Sequence, residues 1–295
     1  MPIGDLLLGV LVAFIWAANF VAVRFGLDAG LSPLLLTALR FLVVATLTPF
    51  VPRPCGWGPL LALGGLIGLG QFGLSTLAVA AGLSPGIASL AMQMQAFFTI
   101  GLAAFVFGEH PSRRNLMGSA VAGLGIALLA LGRGVGPGGV PLVGLVLILA
   151  AALSWAAGNL LLRRIGRSSH PLAIAIWMAA VAALPLLVSS WGLEGSPIRA
   201  LAALKMPAIA AAAIAYSAIG STLAATGIWA WLLSRHPAGR VAPLSLLVSI
   251  FGMSLSAVLL DERFGPRDLL AALLVLAGLG CSLIPGWQRR KEAAF

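Results

Sequence analysis

Charge is what this sequence has least of. Only 9% of its 295 residues are charged, 60% are hydrophobic, and the mean hydropathy is +1.07. A soluble domain carries roughly 25% charged residues. A chain this apolar needs lipid as its solvent, which excludes a soluble globular domain. Cysteine is almost as scarce. Cys55 and Cys281 are far apart and match no metal or redox spacing, so no disulfide framework and no metal site is expected. There is no GxxxxGK[ST] phosphate loop, which excludes ATP drive within the chain, and no cofactor is expected. The basic residues that give the net charge of +10 come in short clusters between apolar runs. That is the positive-inside pattern of a membrane protein and not the single basic face of a nucleic-acid binder.

What is present is a series of apolar runs long enough to cross a bilayer, for which about 20 residues are needed. Split at charged and Gly/Pro-rich breaks, they cover roughly 6–24, 33–51, 60–82, 86–107, 114–132, 141–162, 171–190, 207–232, 238–260 and 267–285. The expected fold class is therefore all-α integral membrane, with ten transmembrane helices. The opening Met1–Asp5 has no positive n-region, so the first run reads as a span and not as a cleaved signal peptide. With the N-terminus in the cytoplasm, the inner loops hold nearly twice as many Lys and Arg as the outer ones, including Arg113–Arg114, Arg163–Arg164–Arg167 and Arg289–Arg290–Lys291. Both termini are expected on the cytoplasmic side of an inner membrane. Trp57, Trp191 and Trp287 fall near span ends and read as interfacial anchors. Gly64 and Gly68 form one GxxxG helix-packing spacing.

The two halves echo each other. Trp16-Ala-Ala-Asn19 with Arg24 and Gly26 returns as Trp155-Ala-Ala-Gly-Asn159 with Arg164 and Gly166, and Asn19, Arg24 and Gly26 each recur 140 positions later. Ser84-Pro-Gly86 returns as His236-Pro-Ala238, and Glu109 as Glu262. The glycine-rich stretch Gly132–Val140 reads as the joint, dividing the chain into repeats 1–134 and 135–295. Five spans per repeat is an odd number, so the second repeat must enter the membrane from the opposite side. Inverted duplications of this kind build secondary transporters with a central site at the repeat interface.

These residues carry a resemblance. Trp16–Asn19, Pro33–Phe41, Ser84–Ser89 and Phe107–Glu109, with Trp155–Arg164, Pro171–Ile174, His236–Ala242 and Leu260–Glu262 in the second half, resemble two EamA-type repeats of the drug/metabolite transporter superfamily. The resemblance covers nearly the whole chain, twice. It implies ten helices, cytoplasmic termini and a central cavity. The sequence is also similar to the YddG-type exporters of that superfamily, which implies export of aromatic or other neutral amino acids by alternating access.

Polar groups inside spans usually face the bundle interior or a wet cavity. Arg40 is the one Lys or Arg well inside a span; it reads either as a partner for a substrate carboxylate or as a ligand for helix-end groups. Trp16 with Asn19, and Trp155 with Asn159, each share a helix face and could form cavity wall or interhelical glue. Gln71, Gln93 and Tyr216 are long polar side chains in apolar runs, and Ser221 sits on the most hydroxyl-rich span. Ser245, Ser249, Gly252 and Ser256 make a narrow polar stripe, with Ser245 repeat-related to Gln93. The deep Trp177, Trp229 and Trp231 are either an aromatic cage or core. These twelve positions (Trp16, Asn19, Arg40, Gln71, Gln93, Trp155, Asn159, Trp177, Tyr216, Ser221, Trp229 and Ser245) are the candidate substrate-binding residues.

All eight acids, from Asp5 to Glu292, fall at span ends or in loops, so no carboxylate is placed mid-membrane as a proton relay or as a counter-charge for a cationic drug. That favours a zwitterionic or neutral solute over the alternative of multidrug efflux. A membrane enzyme is disfavoured because the serines inside spans have no His or Asp partner there, and a channel because no charged ring is present. The expected partners are a small-molecule substrate and membrane lipid, with no nucleic acid and a single chain as the transporting unit.

Overall fold

The computed structural model describes residues 1–132, 140–165, 170–236 and 238–283. Most of the glycine-rich joint, Trp287 and the basic tail lie outside them. Ten long helices follow in order: α1 (Ile3–Asp28), α2 (Pro33–Phe50), α3 (Trp57–Ala80), α4 (Pro85–Phe107), α5 (Arg113–Leu131), α6 (Leu142–Ile165), α7 (Pro171–Glu194), α8 (Pro207–Arg235), α9 (Ala242–Leu259) and α10 (Pro266–Leu283). The first nine are long and apolar enough to cross a membrane, and α10 adds 18 residues to the bundle. Proline starts α2, α4, α7, α8 and α10, where its missing N–H costs nothing and its fixed φ suits a first turn.

Successive helices run antiparallel, and contacts between their ends confirm it. Asp5 at the start of α1 meets His236 at the α8–α9 link (2.6 Å), and Glu109 after α4 meets Arg163 at the end of α6 (2.5 Å). These mark one face of the bundle, called the N-face because α1 begins there. On the far face Glu194 ends α7 against the start of α2, and Glu262 before α10 meets Ser84 before α4. Five helices per half turn the second half over, as an odd count requires.

The repeat is also written in the backbone. In α3 the helix widens into π turns over Gly64–Gly73, and in α8 over Tyr216–Ala225, 152 positions later. In α4 it tightens to 3₁₀ over Met92–Met94, and before the body of α9 over Ala242–Ser245. Such interruptions cluster at functional positions because they re-aim side chains within a helix.

Small residues let the helices close up. A Cβ on Gly68 would lie 2.2 Å from that of Ala182, so the GxxxG pair seats α3 on α7. Gly118 and Gly278 back onto each other's carbonyls, joining α5 and α10 along the periphery. The other eight helices enclose the centre. Trp57 and Trp191 are exposed at the bundle ends, as anchors should be.

Candidate functional site

A cavity of about 1060 Å³ lies between the two repeats, lined from α1–α4 and α6–α9 and untouched by α5 and α10. Small-molecule pockets commonly fall near 300–1,000 Å³. Its lining reaches the N-face at His170, Pro171 and Ser234. Toward the far face it stops at Val23, Val79 and Ser89, short of the helix ends. The cavity therefore opens at the N-face.

Two carboxylates seal the far face. Glu194 accepts from the Leu34 and Leu35 N–H groups at 2.7 and 3.2 Å and from the Ser190 hydroxyl at 2.8 Å. It thus caps α2 from the end of α7, where the helix dipole favours an anion. Glu262 accepts from the Ser84 hydroxyl at 2.5 Å. Its carboxyl is pushed up from the ordinary value by desolvation, which the Ser84 hydroxyl and the Gly86 N–H partly oppose. Below this lock the first half of α4 packs on α9. Ser249 donates to the Ser89 carbonyl at 3.3 Å, and Gly252 makes room for the Ser89 hydroxyl, which a Cβ there would meet at 2.2 Å. The polar stripe of α9 is thus divided. Ser249 and Gly252 close the seal, while Ser245 lines the cavity and takes the Gln93 amide on its carbonyl at 2.9 Å.

Arg40 stands at the centre with 2% of its surface exposed. Its Nε donates to Thr222 at 2.8 Å and its Nη2 to Ser221 at 3.3 Å, crossing from one repeat to the other. The Phe72 ring covers the guanidinium at 4.2 Å, a cation–π contact of the favourable desolvated kind. Among the described residues Arg40 has no carboxylate partner, and no Asp or Glu lines the cavity. Phe72 in turn meets Phe41 and Trp155 edge-on, at 5.3 and 6.4 Å. An apolar wall of Trp16, Phe20, Phe72, Trp155 and Met178 faces polar groups drawn from both halves.

Eight of the candidate residues read from the sequence come together around this cavity: Trp16, Asn19, Arg40, Gln71, Gln93, Trp155, Ser221 and Ser245. Four stand elsewhere. Trp177 donates to the Val51 carbonyl at 3.0 Å and packs on Trp57 near the N-face. Tyr216 donates to the Ile15 carbonyl at 3.0 Å, tying α8 to α1. Asn159 reaches Thr99 at 3.5 Å, between α6 and α4. Trp229 backs Trp16 at 5.1 Å. The reading missed Phe72, Gln95 and Met178. Gln95 carries the same signal as Gln71, a long amide in an apolar run. Met178 stands 138 positions after Arg40, as Pro171 does after Pro33. Phe72 gives no sequence signal, being one apolar residue among many.

Among the described residues, ten long helices in two turned-over sets, around a cavity of mixed aromatic and polar lining closed at one end, define a membrane transporter. A sequence model of the EamA-like transporter family matches residues 3–131 and again 142–284. The chain belongs to the EamA-like transporter family, and it is a multi-pass transporter and not an enzyme. It is 38% identical over 294 residues to a Salmonella typhimurium protein named "Probable amino-acid metabolite efflux pump", covering 98% of this chain and 97% of the relative. An Escherichia coli protein of the same name is 39% identical, covering 93% of each. A Streptantibioticus cattleyicolor protein named "Probable terminal-alkyne amino-acid exporter" is 29% identical, covering 97% of this chain and 95% of the relative. A solved crystal structure aligns with a TM-score of 0.65 at 18% identity, covering 95% of this chain and 98% of that one, which shows a shared fold.

Proposed function

We propose that the chain exports small neutral amino-acid metabolites, aromatic or otherwise hydrophobic, across the cytoplasmic membrane by alternating access. The observation that carries this is the lining of the central cavity: aromatic walls, amides and hydroxyls, one buried arginine and no carboxylate. Such a lining suits a solute with an apolar side chain and a charged but net-neutral end, and a cationic drug would find no counter-charge in it. The names of the relatives from Salmonella typhimurium and Escherichia coli agree with an amino-acid cargo.

The positive-inside bias supports an N-face turned to the cytoplasm. The cavity then opens inward, to the side from which an exporter loads. Exchange of conformations between the inverted halves would break the seal between α4 and α9 at the far face and form its counterpart at the N-face. The closing partners would be the repeat-related Glu109 and the start of α9 at His236.

The test is counterflow of labelled phenylalanine, tryptophan, threonine and a cationic dye in proteoliposomes of the purified chain, with Asn19→Ala, Gln93→Ala and Trp155→Ala alongside. Saturable amino-acid exchange lost in these variants is the expected result. Dye movement without amino-acid movement would overturn the cargo assignment and leave the fold standing.

A further inference from the structure

The cavity contains one cation without an anion and several amides without partners, and these two deficits are complementary. Resting on the exporter reading above, we propose that the site reads the two charged ends of an α-amino acid separately: Arg40 takes the α-carboxylate, and the carboxamides of Gln71 and Asn19 take the α-ammonium.

The carboxylate end follows from counting donors. A guanidinium has five N–H groups. Thr222 takes the one on Nε and Ser221 takes one on Nη2. Among the described residues Nη1 makes no hydrogen bond, and it keeps some exposed surface, unlike the fully buried polar atoms that have no partner. The N–H groups left over on Nη1 and Nη2 suit the two oxygens of a carboxylate. A buried cation held by neutral groups alone is costly, so an incoming carboxylate gains more here than it would beside an arginine already paired.

The ammonium end follows from the orphaned acceptors. Among the described residues the amide oxygens of Gln71 and Asn19 are buried with no hydrogen-bond partner although both residues line the cavity, so a turn about the last side-chain torsion brings each to an ammonium. Gln71 is only 7% exposed and adjoins Phe72, whose ring covers Arg40. Asn19 lies one turn from Trp16, whose indole N–H donates to the carbonyl of Ser221 at 3.4 Å, and the Ser221 hydroxyl accepts from Arg40. Gln71 is thereby linked to the guanidinium through Phe72, and Asn19 through Trp16 and Ser221, which suits a solute whose two charged groups share one α-carbon. A neutral amide stabilises an ammonium less than a carboxylate would. The pair therefore selects a zwitterion, whose charge is balanced across the site, over a free amine. The second repeat has Met178 where the first has Arg40, so the site has one carboxylate end and holds its cargo in one orientation.

The test needs no variant to begin. Labelled phenylalanine counterflow in proteoliposomes is competed with phenylalanine, phenylalaninamide, N-acetylphenylalanine and 3-phenylpropionate. Phenylalanine is expected to compete about 10- to 100-fold better than each analogue lacking one end, the penalty for leaving a buried polar group unpaired. Arg40→Met should erase the discrimination against phenylalaninamide only, and Gln71→Leu should weaken that against N-acetylphenylalanine and 3-phenylpropionate only. Phenylalanine exchange competed equally by the one-ended analogues would overturn the inference while leaving amino-acid export intact. Discrimination unchanged in both variants would overturn the residue assignment. Absence of any amino-acid exchange would overturn the exporter reading, and this inference with it.

Discussion

The two repeats share a backbone and have divided the chemistry. Each widens into π turns in its third helix and tightens to 3₁₀ in or beside its fourth, at matching positions. The first repeat supplies the cation, Arg40, and the amides Asn19, Gln71 and Gln93. Both supply hydroxyls, Ser75, Thr76 and Ser89 from the first and Ser221, Thr222 and Ser245 from the second, and the second has Met178 at the position equivalent to the arginine. The backbone interruptions are thus repeated while the side chains lining the cavity differ. A symmetric cavity would suit a symmetric solute, whereas this lining, on the proposal above, distinguishes the ends of its cargo.

The largest expected effect comes from abolishing that difference. Arg40→Met makes the second helices of the two repeats alike at the centre and removes the two hydrogen bonds that Arg40 makes across the repeats. Amino-acid counterflow should fall about 100-fold, as expected for losing a charge-assisted pair in a dry site. Thr222→Val removes one hydroxyl and should cost about 10-fold or less. Equal rates in Arg40→Met and the unmodified chain would mean that the asymmetry has no part in transport.

A second difference concerns packing. Gly68 and Gly220 occupy equivalent places, 152 positions apart, in the two π segments. A Cβ on Gly68 would lie 2.2 Å from Ala182, across the interface between the repeats; on Gly220 its nearest neighbour would be the Tyr216 ring at 3.6 Å. Gly68→Ala should therefore destabilise by about 1–3 kcal/mol. Gly220→Ala should cost nothing, because the space is there. Thermal unfolding in detergent compares them directly, and equal shifts would dissolve the distinction.

Much of this was legible in the sequence, and the limits have physical causes. The spans follow from lipid's demand for long apolar runs, and the inversion follows from five being odd. Six cavity residues were found because polar side chains in spans usually face the bundle interior, and Trp16 and Trp155 because each shares a helix face with an asparagine. Neither rule says what the partner of a polar group is. Tyr216 and Trp177 satisfy themselves on backbone carbonyls, at Ile15 and Val51, that come close only in the assembled bundle. The π turns were not legible either, since a face read at 3.6 residues per turn drifts where the helix widens. Phe72 could not be singled out because what distinguishes it, its position over Arg40, is tertiary.

The third difference is the state of the repeated carboxylates. Glu262 is docked on the start of α4 at the closed end, while Glu109 sits at the open end, away from the start of α9. The docked carboxyl has its pKa raised by desolvation. Docking is thus favoured in the protonated form. Its contribution is fully present below the ordinary carboxyl range and is lost as pH rises through the raised value. Acidification toward that range should hold the far face shut, and Glu262→Gln should hold it shut at every pH. The readout is labelling of Val79→Cys by a membrane-impermeant maleimide from the far side, with Cys55 and Cys281 replaced. Labelling that falls with falling pH in the parent and stays low and flat in Glu262→Gln is expected. A pH response unchanged in Glu262→Gln would assign the effect to another group.

The smallest effect should come from the other member of that pair. Glu109 and Arg163 meet in an ion pair whose side chains are 45% and 59% exposed. Water screens such a pair and its ordering cost cancels most of the attraction. Arg163→Ala should leave the unfolding temperature unmoved. If Glu109 is the repeat-related closing group for the N-face, its contribution lies in the conformation where it docks at the start of α9. Glu109→Ala should then leave stability unchanged yet slow exchange, because the N-face loses a closing contact. A stability loss matching any loss of exchange would instead make Glu109 a structural residue of the open end, and the two carboxylates would no longer be the same device seen at opposite ends of its stroke.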